Sequence, residues 1–234
     1  MAFQFKEFTV NQDKTAMKIG TDGVLLGAWT RIEKPIETIL DIGSGTGVIA
    51  LQMAQLYEAE IIDAIEIEPN AYEQCVENFE NSTWADRLFC YHASLQEFTA
   101  EIEEKYDLIV SNPPFYTDRF LSNDFARNQA RQTLALSFDD LLKSVSNLLN
   151  VNGYFSVIIP YKEEALFLHK AAENGLFPEK ITRVKGHKKA VIKRSLLLLS
   201  FKQNTNPFIE ELILERERHV FTEAYQKLVE EFYL

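Results

Sequence analysis

The stretch ILDIGSGTG, residues 39–47, decides the fold of this 234-residue chain. An apolar run typical of a buried strand leads to Asp41, and Gly43, Gly45 and Gly47 follow at alternate positions. Glycine accepts backbone angles that other residues avoid, so such a turn lets a ligand approach the backbone where a strand passes into a helix. The pattern predicts a ligand-binding loop, and a plain glycine turn with Asp41 as a cap is the alternative.

Beyond this loop, strand-like and helix-like segments alternate as far as residue 160. Such alternation predicts a parallel sheet with helices on both faces. FPEKITRVKG (177–186) and KAVIKRSLLLLSFK (189–202) are expected to pair as an antiparallel hairpin, and FIEELILE (208–215) is expected to be extended. The predicted fold is therefore α/β, with a mostly parallel seven-stranded sheet and an antiparallel C-terminal hairpin.

No repeat or Pro/Gly-rich linker interrupts the chain, so residues 37–234 are predicted to form one domain behind an N-terminal extension, residues 1–36. No apolar run is long enough to cross a bilayer and no signal peptide is evident, so a cytoplasmic protein is expected. Cys75 and Cys90 lack CxxC spacing and the four histidines lack metal-ligand spacing. Reduced thiols and no metal site are expected.

Glu66 ends the second predicted strand, 25 residues after Asp41. A carboxylate at that place can accept hydrogen bonds from both hydroxyls of a ribose. Glu68 is the rival, because it stands next to Pro69 and could instead favour the N-terminus of the following helix. The GxGxG spacing after an acid suits a cationic nucleoside such as S-adenosylmethionine better than the pyrophosphate of a dinucleotide.

The strand DLIV, residues 107–110, leads to Asn112, Pro113, Pro114 and Phe115 at the same predicted edge of the sheet. The amide oxygen of Asn112 and the carbonyl of Pro113 can accept the two hydrogens of an exocyclic amine, while Phe115 stacks on the ring that carries it. Two such acceptors favour a pyramidal nitrogen with its lone pair aimed at a methyl group. The alternative is a proline-stiffened turn in which Asn112 caps its own backbone.

Eight of the 24 basic residues lie between positions 180 and 202, without an acid among them, in a chain of net charge -11. Because phosphate contacts supply most of the affinity for nucleic acids, this segment is predicted to bind RNA. The residues expected to do so are Lys185, Lys188, Lys189, Lys193 and Arg194. A solvated hairpin whose lysines prevent edge-to-edge aggregation is the alternative.

At these motifs the sequence resembles the Rossmann-like class I S-adenosylmethionine-dependent methyltransferases that carry an Asn/Asp-Pro-Pro-aromatic loop. It specifically resembles the bacterial tRNA1(Val) adenine-37 N6-methyltransferase family, from FKEFTVNQDKTAMKIGTDGVLLGAW (residues 5–29) through NPPF to the closing EEFYL. The resemblance implies methylation of N6 of adenine 37 in the anticodon loop of tRNA1(Val). It implies S-adenosyl-L-methionine as cofactor, S-adenosyl-L-homocysteine as product and tRNA as partner, with no obligate protein partner.

The resemblance also implies roles for individual residues. The glycine loop and Glu66 would hold the cofactor, residues 112–115 would hold the target adenine, and residues 1–36 would cover the cofactor. The implied cofactor set is Thr21, Asp22, Asp41, Gly43, Gly45, Gly47, Glu66, Ser94 and Asn112.

Three members of that set need comment: Thr21 and Asp22 have an alternative role, and Ser94 departs from the residue type found in many relatives. Thr21 and Asp22 are placed near the methionine end of the cofactor, but either could be the N-cap of the helix GVLLGAW. Ser94 stands where many relatives have an acid that meets the cofactor adenine, and its hydroxyl would bond more weakly than a carboxylate.

Other functions fit parts of the pattern. In relatives, the same loop takes part in methylation of guanine N2 in ribosomal RNA or of the side-chain amide of a protein glutamine, since each of these acceptors presents a planar nitrogen. A non-catalytic RNA-binding module is the alternative of another class, and the intact glycines together with an intact NPPF argue against it. A nicotinamide dehydrogenase is disfavoured because GxGxG replaces GxGxxG.

Overall fold

The predicted alternation of strands and helices is confirmed in the computed structural model, which describes residues 2–113 and 136–233. The described strands are β1 (Phe3–Gln4), β2 (Thr9–Val10), β3 (Thr38–Ile42), β4 (Ile61–Glu66), β5 (Leu88–His92), β6 (Tyr106–Ser111), β7 (Leu149–Pro160), β8 (Phe177–His187), β9 (Ile192–Ser200), β10 (Phe208–Glu217) and β11 (Val220–Phe221). The described helices are α1 (Thr21–Trp29), α2 (Val48–Leu56), α3 (Pro69–Glu80), α4 (Leu95–Glu101), α5 (Phe138–Leu148), α6 (Glu164–Glu173) and α7 (Glu223–Val229). A short 3-10 turn, Tyr161–Glu163, joins β7 to α6.

The central sheet has the strand order β5-β4-β3-β6-β7-β9-β8-β10-β11. The five strands β5, β4, β3, β6 and β7 are parallel to one another, and β8 and β9 form the predicted antiparallel hairpin. The predicted number of seven strands is wrong. Nine strands form this sheet within the described residues, because β10 pairs in parallel with β8 and the two-residue β11 follows it.

Two apolar cores lie on the two faces of the sheet, as expected for a layered α/β domain. One core contains residues of α1, α2 and both ends of the chain, including the fully buried Leu26, Leu51 and Phe232. The other contains residues of α4, α5 and α6, including Leu142 and Phe167.

The N-terminal segment packs against the C-terminal segment. The Lys6 amide donates to the Phe232 carbonyl at 2.9 Å, and the rings of Phe5 and Tyr233 stack with centroids 6.1 Å apart. Phe5 and Phe232 are both buried, so the two ends of the described chain contribute to one core. Burial of two such rings stabilises the fold by several kcal/mol, on the order of 1.5–3 kcal/mol for each apolar side chain.

The strand register brings the predicted motifs to one edge. Ile42, near the glycine loop, pairs with Ile65 on β4 and with Ser111 on β6. Three adjacent strands therefore end at the same level, and their ends carry the loop after Ile42, the carboxylate of Glu66 and the amide of Asn112. Open parallel sheets bind ligands at this end. No helix in the described part of the chain is long and apolar enough to span a membrane.

Candidate active site

The glycine loop is anchored to β4 and open on its outer side. The amides of Gly43 and Ser44 donate to the Ile65 carbonyl at 3.0 and 3.1 Å. Gly45 has φ 57°, and a Cβ built on it would meet no atom within 4 Å, so its backbone is free for close approach. Gly47 serves packing instead, because a Cβ there would lie 2.6 Å from Phe79 Cε1.

Asp41 is a fully buried carboxyl beneath this loop. Its Oδ2 accepts from the Ala50 amide at 3.1 Å, and its Oδ1 has no partner among the described residues. Burial raises the pKa of Asp41 from 3.8 to about 7, the Ala50 amide opposes that rise, and the charge of Glu66 adds to it. Through Oδ2, Asp41 caps the first turn of α2, as the capping alternative predicts.

Glu66 and Glu68 have different surroundings. Glu66 accepts hydrogen bonds from the amides of Gly45 and Glu68, both at 2.8 Å, and so holds the glycine loop. Glu68 caps α3, accepting from the amides of Asn70 at 3.2 Å and Ala71 at 2.7 Å. The capping role considered for Glu68 is confirmed, and Glu66 is the acid that faces the loop.

The sequence after β6 reaches the same edge. Ser111 Oγ donates to the Ile42 carbonyl at 2.9 Å, which fixes the end of β6 beside the glycine loop. Asn112 is half-buried and Pro113 is buried. A Cβ on Gly23 would lie 3.9 Å from Asn112 Nδ2, so α1 begins next to this asparagine. Pro114 and Phe115, predicted to belong to the site, lie outside the described residues.

Helix α1 is capped by neither residue proposed for that role. The N-cap is Gly20, without a side-chain hydrogen bond, while Thr21 is the first helical residue and Asp22 lies in the first turn. Both capping alternatives are therefore wrong. Asp22 Oδ2 accepts from Arg194 Nε at 2.7 Å, so this acid is paired across the edge of the sheet with β9.

Ser94 forms a capping box at the start of α4. Its Oγ accepts from the Glu97 amide at 3.2 Å and donates to Glu97 Oε2 at 2.7 Å, while the Ser94 amide donates to the same oxygen. These hydrogen bonds lower the pKa of Glu97. The S-x-x-E spacing in SLQE is the sequence signal for this capping box.

Sequence reasoning also missed a buried amide that ties the N-terminal segment to the loop. Asn78 on α3 donates through Nδ2 to the carbonyls of Asn11 and Thr46, both at 2.9 Å, and accepts from the Asn11 amide at 2.8 Å. Gln74, one turn earlier, accepts from the Lys14 amide at 3.0 Å. Residues 11–14 therefore lie along α3 beside the glycine loop. No motif marks such amides on a helix.

The basic segment is partly neutralised by acids from elsewhere in the chain. Its ion pairs are Lys180 with Glu210, Arg183 with Glu164, Lys185 with Glu211 and Arg194 with Asp22. Lys188 and Lys189 are exposed in the β8–β9 turn and Lys193 is exposed at the start of β9, and no acid pairs with these three lysines among the described residues. Two of the five predicted RNA-binding residues, Lys185 and Arg194, thus already have partners.

The β8–β9 turn and the start of β9, which carry the three exposed lysines, lie toward the same end of the strands as Asn112. Strand β8 runs in the direction of β6 and β7, since both β7 and β8 are antiparallel to β9. The end of β8 is three strand spacings from β6, or about 14 Å across the sheet, and it lies six residues beyond the level of Ser111, or about 20 Å further along the strands. Among the described residues, no group of three or more His, Cys, Asp or Glu side chains could hold a metal ion.

Comparison with known proteins agrees with this geometry. Residues 20–159 match the family described as methyltransferase small domain. The tRNA1(Val) (adenine(37)-N6)-methyltransferase of Christiangramia forsetii is 55% identical over 99% of this chain and 97% of its own length. The chain belongs to the tRNA1(Val) (adenine(37)-N6)-methyltransferase family. The protein of that name from Flavobacterium johnsoniae is likewise 55% identical, covering 99% of both chains.

The fold of this family member also matches solved methyltransferases. The crystal structure of a predicted O-methyltransferase from Agrobacterium tumefaciens superposes with a TM-score of 0.67 over 90% of this chain and 96% of that chain. At 19% identity, this likeness concerns the fold alone. The Rossmann-like methyltransferase architecture predicted from the sequence is confirmed.

Proposed function

We propose that the protein transfers the methyl group of S-adenosyl-L-methionine to N6 of adenine 37 in tRNA1(Val), in the cytoplasm. The observation that carries the proposal is the convergence of an open glycine loop, Glu66 and Asn112 on adjacent strand ends, in a member of this family. The loop after β6 begins with an amide and a rigid proline, which suits the recognition of a planar amine.

The residues at the edge of the sheet fit this cofactor. Bound S-adenosyl-L-methionine supplies a methyl group made electrophilic by a sulfonium cation. The free Oδ1 of Asp41 offers negative charge near such a cation, and the open backbone at Gly45 admits close contact. Glu66, at the end of β4, is assigned to the ribose hydroxyls, and Ser94, at the start of α4, to the cofactor adenine.

Asn112 and Pro113 position the acceptor. The Asn112 side-chain oxygen and the Pro113 carbonyl accept the two hydrogens on N6, which turns the nitrogen lone pair out of the plane of the base. Phe115 is assigned to stacking on that base. Thr21 and Asp22, at the start of α1, are assigned to the methionine end of the cofactor, because α1 begins next to Asn112.

The decisive test is a methyl-transfer assay. Purified protein is incubated with labelled S-adenosyl-L-methionine and unmodified tRNA, ribosomal RNA or ribosomal protein, and the digested products are analysed by mass spectrometry. N6-methyladenosine from tRNA alone is the expected result. Label in guanine N2 of ribosomal RNA or in a protein glutamine would replace the proposed substrate, and binding of tRNA without transfer would favour a non-catalytic module.

Lys188, Lys189 and Lys193 are proposed as phosphate contacts for tRNA. Replacing all three by glutamine is expected to lower the slope of log Kd against log salt by about 2 to 3, since each phosphate contact contributes roughly 0.7–0.9 to that slope. Binding of tRNA is measured over a series of salt concentrations. Glutamine at the exposed Lys143 and Lys227, outside the hairpin, is the control and should leave the slope unchanged. An unchanged slope in the triple variant would favour the solvated-hairpin alternative.

A further inference from the structure

Tyr161 occupies a position close to the proposed adenine site. It follows Pro160, the last residue of β7, and β7 is the neighbour of β6. Because Ser111 pairs with Val157, Asn112 is level with Ile158 and Tyr161 lies three residues further along. At about 3.3 Å per residue and 4.8 Å between strands, the two residues are separated by roughly 11 Å. That separation spans about three stacked nucleotides at roughly 3.4 Å each.

The ring of Tyr161 is exposed where most aromatic side chains are buried. Its relative exposure is 37%. The other large exposed rings of the described chain are Phe89, Tyr91, Phe208 and Phe221. They lie on β5, β10 and β11, each at least two strands away from β6. Among these rings, Tyr161 alone borders the strand that delivers Asn112.

The ring of Tyr161 contacts an arginine that is paired with a buried carboxylate. The Arg183 guanidinium carbon lies 5.5 Å from the centroid of the Tyr161 ring. Arg183 donates through Nη2 at 2.7 Å and through Nε at 3.2 Å to Glu164, which is 6% exposed and also accepts from the Ser195 hydroxyl. A guanidinium held by two hydrogen bonds attracts the ring electrostatically, so the exposed ring is held in place before any ligand arrives.

The charges near the ring suit a nucleic acid. Lys162 follows Tyr161 with a side chain 59% exposed that lies 3.4 Å from the carboxylate of Glu163. Lys188, Lys189 and Lys193 are exposed at the same end of the strands. An ordered ring with cations around it is the combination by which proteins stack single-stranded bases.

We propose that Tyr161 is a stacking platform for a nucleotide of the anticodon loop that neighbours the target adenine. This inference rests on the proposed function. By holding the neighbouring base, Tyr161 keeps the loop opened while the target base lies at Asn112. Unstacking a base from a loop costs less than from a duplex, and a protein ring replaces the stacking that is lost.

Tyr161→Ala is expected to lower kcat/KM for an anticodon stem-loop RNA by about 5- to 160-fold, as loss of one base–aromatic stack implies. Tyr161→Phe keeps the ring and is expected to stay within about twofold of wild type. The matched control is Phe208→Ala, since Phe208 is also an exposed ring near a cation, Lys180, and begins β10 at the opposite edge. KM for S-adenosyl-L-methionine and the thermal unfolding midpoint are expected to be unchanged.

A set of abasic stem-loops separates stacking from a structural role. Each carries one abasic nucleotide, at successive positions beside the target adenine. At one position, the abasic nucleotide should lower kcat/KM of the wild-type enzyme by the same factor as Tyr161→Ala does on the intact stem-loop. The same abasic nucleotide should not lower kcat/KM of Tyr161→Ala any further. The inference would be overturned if every abasic nucleotide lowered kcat/KM of Tyr161→Ala as much as that of wild type. It would also be overturned if Tyr161→Phe lost as much kcat/KM as Tyr161→Ala. Either result would leave the proposed function intact. Wild-type protein that methylates neither the stem-loop nor the unmodified full-length tRNA would overturn both.

Discussion

Asn112→Ala is expected to lower kcat for adenine methylation by roughly 10²- to 10³-fold, the loss typical of removing one preorganised hydrogen-bonding group that acts in a transition state. Asn112 stands at the end of β6, fixed by the hydrogen bond from Ser111 to Ile42 and bordered by α1 at Gly23. Alanine removes the acceptor for one hydrogen of N6. The amine then keeps its lone pair delocalised in the ring, and the barrier to methyl transfer rises.

Asn112→Ala should leave the binding of both substrates nearly unchanged. Because the lost hydrogen bond strengthens in the transition state, kcat should fall while the affinities for tRNA and S-adenosyl-L-methionine change little. Single-turnover kinetics with saturating tRNA and equilibrium binding measure the two quantities separately. Asn112→Asp retains an acceptor oxygen and should keep more activity than alanine. A parallel loss of tRNA affinity in Asn112→Ala would mean that the asparagine holds the RNA and not the reacting amine.

The candidate ligand-binding end of the sheet could be predicted because the sequence motifs that mark it are local. A strand, an acid and three glycines follow one another within nine residues, and NPPF follows its strand directly. The strand register then brings Gly43, Glu66 and Asn112 together for the general reason that parallel strands end at one edge. Local pattern and parallel topology are sufficient for that result.

The ion pairs of the basic segment and the Asn78 bridge were not predicted because they depend on contacts between distant segments. The basic segment contains no acid, yet its parallel pairing with β10 places Glu210 and Glu211 beside Lys180 and Lys185. No periodicity in the sequence indicates which strand will add to that edge. The bridge from Asn78 to Asn11 similarly joins residues 67 positions apart. The charge that remains for RNA can therefore be assigned only after the strand pairing is known.

Asp41→Asn is expected to stabilise the cofactor-free protein at pH 8 by about 1–3 kcal/mol. The carboxyl has a pKa of about 7 in the folded state and an ordinary value of 3.8, so the folded protein binds more protons than the unfolded chain between these values. Stability therefore falls as pH rises from about 4 to 7, by about 4 kcal/mol in total. Asparagine does not ionise, but its buried amide lacks a partner at the Oδ1 position, which offsets about 1–3 kcal/mol of the gain.

The stability measurement has an internal control in its pH dependence. Urea unfolding of both proteins at several pH values should give equal free energies of unfolding below about pH 3, where Asp41 is protonated in both the folded and the unfolded state, apart from the fixed cost of the amide. The difference should grow in favour of Asn as pH approaches 7 and remain constant above it. A difference that does not vary with pH would mean that Asp41 is ionised in the folded state at all these pH values.

The same substitution is expected to weaken binding of S-adenosyl-L-methionine at pH 8, by roughly 30-fold or more, the usual loss when one partner of a buried charge pair is removed. A cation near Oδ1 favours the ionised carboxyl, so the wild-type affinity should rise about tenfold for each pH unit below 7 and level off above it. The affinity of Asp41→Asn should not follow this course. Calorimetry in buffers of different ionisation enthalpy measures the proton that wild type releases at pH 6. The affinity for S-adenosyl-L-homocysteine, which lacks the sulfonium charge, should depend less on pH. If the affinities of both ligands depended equally on pH, Asp41 would lie away from the sulfur and near the amino group that the two ligands share.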